Sequence, residues 1–334
     1  MDEQTVTGTW QADAGGEGLQ PQLEPYRREL TAYCYRMLGS AFEAEDAVQD
    51  TFLRAWKSYD RFEGRSSLRT WLYRIATNVC LNMVTGSQRR ARSMDLGPSG
   101  TAESPLGERL PEERWILPVP DTRVLPDSGD PVDIVATRDS VRLAFVAALH
   151  RLPPRQRAVL ILREVLDWRA TEVAELLDTT VASVNSALQR ARATLSQRDV
   201  SGTAPSEVTD EHDRELLARY VEAFERYDLD ALTSLLHEDA TWSMPPFPLW
   251  LETHLDIRRF CLGTGIACKD SRLVPVSANG MPAFAQYKPA EDGGFTPWAL
   301  QVLEIAGGRI AGVTFFLDTP RLFPLFDLPL HLDA

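Results

Sequence analysis

From Leu23 to Val84 apolar residues recur at three- and four-residue intervals, with no proline after Pro25. That period predicts a compact helical unit. Between Thr85 and Pro131 the period vanishes, and Pro98, Pro105, Pro111, Pro118, Pro120 and Pro126 arrive with Gly, Ser and charge, so the stretch reads as a long linker. Helical spacing returns from Val132 to Arg198 and is broken at Pro153-Pro154, where the second proline suits the first turn of a new helix. After the polar stretch Val200 to Ser206, Leu216, Leu217, Tyr220, Val221 and Phe224 trace one helical stripe, and Leu232, Leu235 and Leu236 a shorter one. Strands are then predicted over 240–244, 272–278, 281–288, 298–305 and 309–316, with a helix over 255–262. Asn279-Gly280 is the strongest hairpin signal, and Gly307-Gly308 joins the next pair. The expected architecture is multidomain: two all-α units followed by an α+β domain whose helices and curved antiparallel sheet form a cone with an interior pocket.

The expected boundaries are a disordered tail at 1–21, a first helical unit at 22–88, a linker at 89–131, a second helical unit at 132–199, a short linker at 200–210 and the α+β domain at 211–334. A length of 334 residues supports two or three such domains. The net charge of −13 argues against a protein that coats nucleic acid with its whole surface, so any DNA contact is local. Cys34, Cys80, Cys261 and Cys268 form no C-x-x-C pair and no zinc-ligand spacing, which points to reduced cytosolic thiols and no bound metal; Cys261 and Cys268 leave a redox sensor open. The first 20 residues lack the basic start and apolar core of a signal peptide, and no apolar run approaches the ~20 residues of a membrane span.

Within 41–56, Ala44, Val48, Phe52 and Ala55 fall on one helical stripe and the carboxylates Glu43, Asp46 and Asp50 on another, either a solvated face or a docking face. The polar loop Arg61 to Ser67, which includes Arg65, leads into an amphipathic helix that buries Leu68, Leu72, Ile75 and Val79. Its other face carries Arg74 and Asn78 among aromatic neighbours such as Trp71. Basic and aromatic groups interleaved in this way suit melted DNA, because bases stack on rings while arginines hold phosphates.

The run Ala44 to Phe52 followed by Leu68 to Asn78 closely resembles region 2 of extracytoplasmic-function (ECF) sigma factors of the sigma-70 family. The resemblance implies that Glu43, Asp46 and Asp50 help dock the chain on the β′ clamp helices of RNA polymerase core. It also implies that Arg61, Arg65, Trp71, Arg74 and Asn78 melt and read the −10 promoter element, with pocket contacts offsetting the cost of unstacking a base.

In the second unit two short helices, 171–177 and 181–195, are joined by Asp178-Thr179-Thr180, with Thr180 a candidate N-cap. This is helix-turn-helix spacing. The first helix holds Glu172 and Glu175, whereas 181–198 holds Arg190, Arg192 and Arg198 without a carboxylate, so the second helix is the one that faces DNA. Val184, Leu188, Ala191 and Leu195 form its buried stripe, which leaves Ser183, Asn185, Ser186, Gln189 and Arg190 for base edges and phosphates. A simple antiparallel helix pair is the alternative. Leu152 to Leu160 together with Ser183 to Arg192 resembles sigma region 4, reader of the −35 element and partner of the polymerase β flap. Asp178 stands where that family often has glycine, and Asn185 and Gln189 where basic residues are frequent.

Within the linker, Trp115 to Asp121 is an apolar, proline-stiffened island, either a chance cluster or a segment that docks in a groove. It resembles a motif of sigma factors that carry a C-terminal extension. The α+β domain is similar to the SnoaL-like cyclase, ketosteroid isomerase and nuclear-transport-factor superfamily, which contains enzymes and inert binding modules alike. The resemblance implies control of the sigma regions in cis, with no cofactor and with a small-molecule ligand as an option for the pocket. His237, Asp239, His254, Asp256 and Tyr287 are the titratable residues expected near that pocket, beside Trp242, Trp250, Phe284 and Trp298. An isomerase or cyclase fused to a DNA-binding module is therefore the alternative to a non-enzymatic sigma factor. The apolar ending Phe323 to Leu330 is expected to pack back on the body or on region 2.

Overall fold

The computed structural model describes residues 20–333 apart from 63, 65, 85–89, 129, 197–209 and 292, and the side chains of Arg61 and Asp210 lie outside that description. Most of the tail expected over 1–21 and of the linker expected over 200–210 therefore falls outside it.

Three helices build the first unit: α1 (Arg27–Leu38), α2 (Ala41–Ser58) and α3 (Leu68–Met83). α1 is apolar around most of its circumference, and residues 30–38 are all buried, which makes it the central rod of the helical half. Gly39 closes it in a left-handed turn (φ 72°), where a β-carbon would also strike Ile116, Arg90 and His150. Ser40 caps α2 and Ser67 caps α3, each accepting from a backbone N–H three residues on. The second unit comprises α4 (Pro131–Val141), α5 (Leu143–Leu149), α6 (Pro154–Leu160), α7 (Ala170–Leu176) and α8 (Val181–Ser196). Thr180 caps α8 as its position predicts, its Oγ1 accepting from the Ser183 N–H at 3.1 Å. Asp178 takes the left-handed conformation (φ 50°) that glycine fills more easily.

The third unit opens with α9 (Asp210–Glu225) and α10 (Leu229–Ser234). Its six-stranded sheet runs in the order β2-β1-β6-β5-β4-β3, with β1 (Leu236–Ser243), β2 (Trp250–Leu251), β3 (Arg272–Ala278), β4 (Met281–Pro289), β5 (Phe295–Ala306) and β6 (Arg309–Phe316). β1 and β6 are parallel, and every other pairing is antiparallel. Leu236, expected to end a helix, starts β1 because it pairs with Ile310 across the sheet. α11 (His254–Leu262) and the two preceding helices cover one face of the sheet; α12 (Thr319–Leu325) packs on the other.

That second face joins the helical half. Ala278, Met281, Ala283, Leu300, Val302, Phe316, Leu322 and Leu325 belong to the same apolar core as α1, α2 and the second helical unit. The apolar ending packs as expected, with Phe323 fully buried edge-on to Tyr287 and Arg321 over the Phe42 ring at 4.2 Å.

The stretch 89–131 does not behave as a free connection. Its first part lies along the third unit: the Gly100 N–H donates to the Trp250 carbonyl, Leu110 N–H to Pro246, and Trp250 Nε1 to Gly97. It then returns to the first unit, where Ala91 and Trp115 form a parallel bridge and the Leu117 N–H donates to the Gly39 carbonyl. Trp115 to Pro120 are all buried. Proline density removed the local period, yet the apolar side chains between the prolines found tertiary partners. The docked alternative for the Trp115 to Asp121 island is the observed one.

Candidate polymerase and nucleic-acid surfaces

The three acidic candidates on α2 differ in circumstance. Glu43 accepts from Arg90 at 2.6 Å, and that guanidinium is 5 % exposed and also donates to the Glu112 and Trp115 carbonyls. Glu43 thus ties α2 to the returning strap and is not simply a solvated charge. Asp46 is exposed, and Asp50 is half-buried beside Arg54 at 2.8 Å. Asp46 and Asp50 line an open groove of about 1580 Å³ between α1, α2 and residues 122–128, together with Leu53 and the half-exposed Trp56. The far wall is held by Arg123 to Glu45 at 3.5 Å and by Arg28 to Asp127 at 2.5 Å.

On α3, Trp71, Arg74 and Asn78 share one face. Trp71 packs on Phe62 (4.9 Å between centroids) and Tyr59 (6.4 Å), and Arg74 and Asn78 are exposed. Arg65 lies outside the described residues, as does the Arg61 side chain. Arg74 does not point freely to solvent: its guanidinium donates to the Glu175 carbonyl at the end of α7. Beside it, Trp168 packs at a tilt against Tyr73 at 5.1 Å and lies under Arg69, which is paired to Glu29 at 2.9 Å. The face that carries the candidate base readers is therefore in contact with the second helical unit.

α8 presents Ser183, Asn185, Ser186, Gln189 and Arg190 on its exposed side and buries Val184, Leu188 and Ala191. A helix with an apolar face against α6 and α7 and a mostly polar, carboxylate-free outer face can enter a major groove.

Three arginines, Arg36, Arg90 and Arg157, are buried around the seam between the helical units, a role the sequence reading did not give them. Arg36 donates to the Ser140 hydroxyl at 2.6 and 3.1 Å, and burial pushes its guanidinium down to about 10. Arg157 donates to the carbonyls of Met37, Leu149 and Leu152. Arg90 joins the strap to α2, as above. The signal was present in one case: Arg36 lies in a helix with almost no polar face, where a cation must find partners inside. His150 completes the cluster, 3.1 Å from Arg157, and is held neutral by burial first and then by Arg157 and Arg90.

The interior of the cone carries a line of buried neutral polar groups. Tyr220 donates to Gln301 at 2.7 Å, Gln301 to Gln286 at 2.9 Å, Gln286 to Ser271 at 3.0 Å and Ser271 to the Cys268 carbonyl at 2.7 Å. Trp242 packs at a tilt against Phe315, and Phe284 against Tyr220, as core. The structure does not bring the five titratable candidates into this interior. Asp239 is exposed; His254 contacts the His237 carbonyl; Asp256 accepts from the hydroxyl of Thr253, the N-cap of α11, and from the Ala102 N–H; and Tyr287 donates to the Pro329 carbonyl on the opposite face. Trp250 contacts the strap, and Trp298 is 41 % exposed beneath the Lys288 ammonium. The thiols of Cys34, Cys80 and Cys261 are buried, and desolvation raises Cys261 to about 12, as expected of unreactive sulfur.

Comparison with known proteins identifies the class first. Residues 23–90 match sigma-70 region 2, 142–195 match sigma-70 region 4, and 217–313 match the SnoaL-like domain. The ECF RNA polymerase sigma factor SigG of Mycobacterium tuberculosis is 46 % identical over 333 residues, covering 97 % of this chain and 87 % of that protein. SigJ of the same organism is 30 % identical over 66 % of this chain and 63 % of its own length. The crystal structure of M. tuberculosis SigJ superposes with a TM-score of 0.58 at 24 % identity, covering 93 % of this chain and 99 % of that one, which shows the shared fold. This chain belongs to the ECF RNA polymerase sigma factor family, with a SnoaL-like C-terminal domain. Among the described residues no helix is long and apolar enough to cross a membrane.

Proposed function

We propose that the chain recruits RNA polymerase core in the cytoplasm, directs it to promoters through two separate readers, and is restrained in cis by its SnoaL-like domain. Asp46, Asp50 and the edge residue Glu43 are assigned to the β′ clamp helices, and region 4 to the β flap. Arg61, Arg65, Trp71, Arg74 and Asn78 are assigned to the −10 element; Ser183, Asn185, Ser186, Gln189 and Arg190 to the −35 element. The division into tail, region 2, strap, region 4, short linker and SnoaL-like domain follows the boundaries set out above.

The observation that carries the restraint is the bond from Arg74 to the Glu175 carbonyl: a −10 candidate is occupied by the unit that contains the other reader. Both readers cannot engage DNA separately until that contact is released. The SnoaL-like domain acts without chemistry of its own, a reading supported by an interior occupied by neutral hydrogen-bonding groups, with His237, Asp239, His254, Asp256 and Tyr287 elsewhere. A small molecule would regulate it only by binding one arrangement better than the other.

Run-off transcription with bacterial core polymerase tests the reading. The full chain is expected to bind core and to start transcripts at a discrete promoter set, and Asn78→Ala and Gln189→Ala to lose them at the −10 and −35 element respectively. Absence of core binding and of chain-dependent transcripts on every template would overturn it.

A further inference from the structure

We infer that Asn279, at the tip of the β3–β4 hairpin, is the latch that holds region 2, the returning strap and region 4 together. The inference rests on the cis-restraint reading above and names the contact that exerts it.

Asn279 is fully buried, although it sits at a hairpin tip where a polar residue would ordinarily meet water. Its amide nitrogen donates twice: to the Tyr35 hydroxyl on α1 at 2.6 Å, and to the Val141 carbonyl at the end of α4 at 2.7 Å. Its amide oxygen accepts from the Val119 N–H of the strap at 3.1 Å, and its backbone N–H returns a bond to the Val119 carbonyl at 3.0 Å. Next to it the Gly280 N–H donates to Asp121 Oδ1 at 2.7 Å. Tyr35 passes its own proton to the Leu117 carbonyl at 2.8 Å. One side chain of the third domain thus bonds to three separate segments of the sigma half.

The chemistry requires an amide. Tyr35 spends its proton on Leu117, so it presents only a lone pair to residue 279, and the last carbonyl of α4 has no partner within its own helix. Two acceptors and one N–H are met by two donors and one acceptor. The backbone adds a second condition: residue 279 has φ 59° and Gly280 φ 68°, the two positive values of a tight hairpin turn that Asn-Gly favours. A β-carbon on Gly280 would lie 2.9 Å from the Arg138 carbonyl, so the turn is seated directly on α4. Withdrawal of the hairpin strips the bonds to all three segments together, which gives the release a two-state character.

Asn279→Asp in the full chain is the test. Asp-Gly keeps the turn, but a carboxylate supplies no donor to Tyr35 or Val141 and brings a charge into a buried site. Losing two buried hydrogen bonds is expected to raise the open-to-closed ratio by about tenfold or more. The readouts are hydrogen exchange at the Val119 and Gly280 amides, the radius of gyration by solution scattering, and run-off transcription at limiting chain. Faster exchange, an expanded chain and several-fold more transcript are expected. Tyr35→Phe keeps the ring packed and removes the hydroxyl that accepts from Asn279 and donates to the Leu117 carbonyl; it is expected to move the same readouts in the same direction by a few-fold, and it serves if the aspartate variant fails to fold. Exchange and dimensions equal to the parent in both variants would overturn the latch. Faster exchange and expansion without more transcript would leave the latch standing and overturn the restraint on which it rests.

Discussion

Arg157 is the seam residue whose removal gives the most informative measurement. It is 2 % exposed and, among the described residues, pairs with no carboxylate; its partners are the carbonyl ends of two helices, Met37 on α1 and Leu149 on α5, the Leu152 carbonyl beyond, and His150 Nε2. Those are the negative poles of helices from the two sigma regions, so the cation joins them electrostatically as well as by hydrogen bonds. Bonds from a charged donor contribute about 2 kcal/mol each, roughly 6 kcal/mol for three. Burial opposes this and pushes the guanidinium down to about 10. Only part of the gain is therefore expected to survive, about 3 kcal/mol in favour of the closed arrangement. Arg157→Met, which keeps bulk and removes the charge, is therefore expected to lower stability by about 3 kcal/mol in urea unfolding of the full chain. Arg157→Lys should recover only part, because an ammonium cannot reach three divergent carbonyls. The same substitution carries an independent readout. Arg157 is, after burial, the second cause of the low His150 pKa, so the His150 titration followed by NMR should move up in Arg157→Met while burial still holds it below the ordinary value. A stability change under about 0.5 kcal/mol together with an unmoved His150 titration would refute the account of the seam.

His150 itself predicts a pH dependence. Burial first, then Arg157 and Arg90, lower its pKa in the closed chain, and Glu43 faces it only through its pair with Arg90. A depressed pKa means the stabilisation is complete above the open-state value of about 6.5 and is lost as pH falls below it; the opening equilibrium at seam amides, taken from hydrogen exchange after correction for the intrinsic rate at each pH, should rise on acidification in the parent and become flat in His150→Gln. Asp178→Gly should stabilise the helix-turn-helix by about 0.5–1 kcal/mol in thermal unfolding by removing a left-handed non-glycine residue, and Asp178→Ala should destabilise it. Gln301→Leu strands the Tyr220 hydroxyl and the Gln286 amide oxygen inside the cone; a cost of about 2–3 kcal/mol is expected, and a neutral result would mean that the interior line is not structural.

The closed arrangement also recasts the strap. Residues 122–128 form one wall of the groove beside Asp46 and Asp50, so a partner that seats on that face meets the same segment that Asn279 and Gly280 hold from the other side through Val119 and Asp121. In the proposed docking, core and the Asn279 latch share one piece of chain, a physical route by which docking and release favour each other.

What the sequence alone determined is local: the amphipathic faces of α2, α3 and α8, the N-cap at Thr180, the Asn279-Gly280 turn and the boundary where helices give way to strands. Each depends on a period or a dihedral preference held within a few residues, so it can be read without knowing what lies opposite. The tertiary structure decided the rest. Asn279 and Tyr35 are 244 positions apart, and nothing near either residue records the bond between them. Glu43 looked like one of three equivalent carboxylates until Arg90 folded against it. The Trp115 to Pro120 segment showed no period because prolines interrupt it, but it is buried because a groove exists between two distant units. The titratable residues expected around the pocket lie elsewhere for the same reason: chain position put His237, His254 and Asp256 near the cone, while strand alternation and packing turned Tyr220, Gln286 and Gln301 inward. Periodicity fixes which face of an element is apolar; only the packed chain settles which other element that face meets and which polar groups must then satisfy one another.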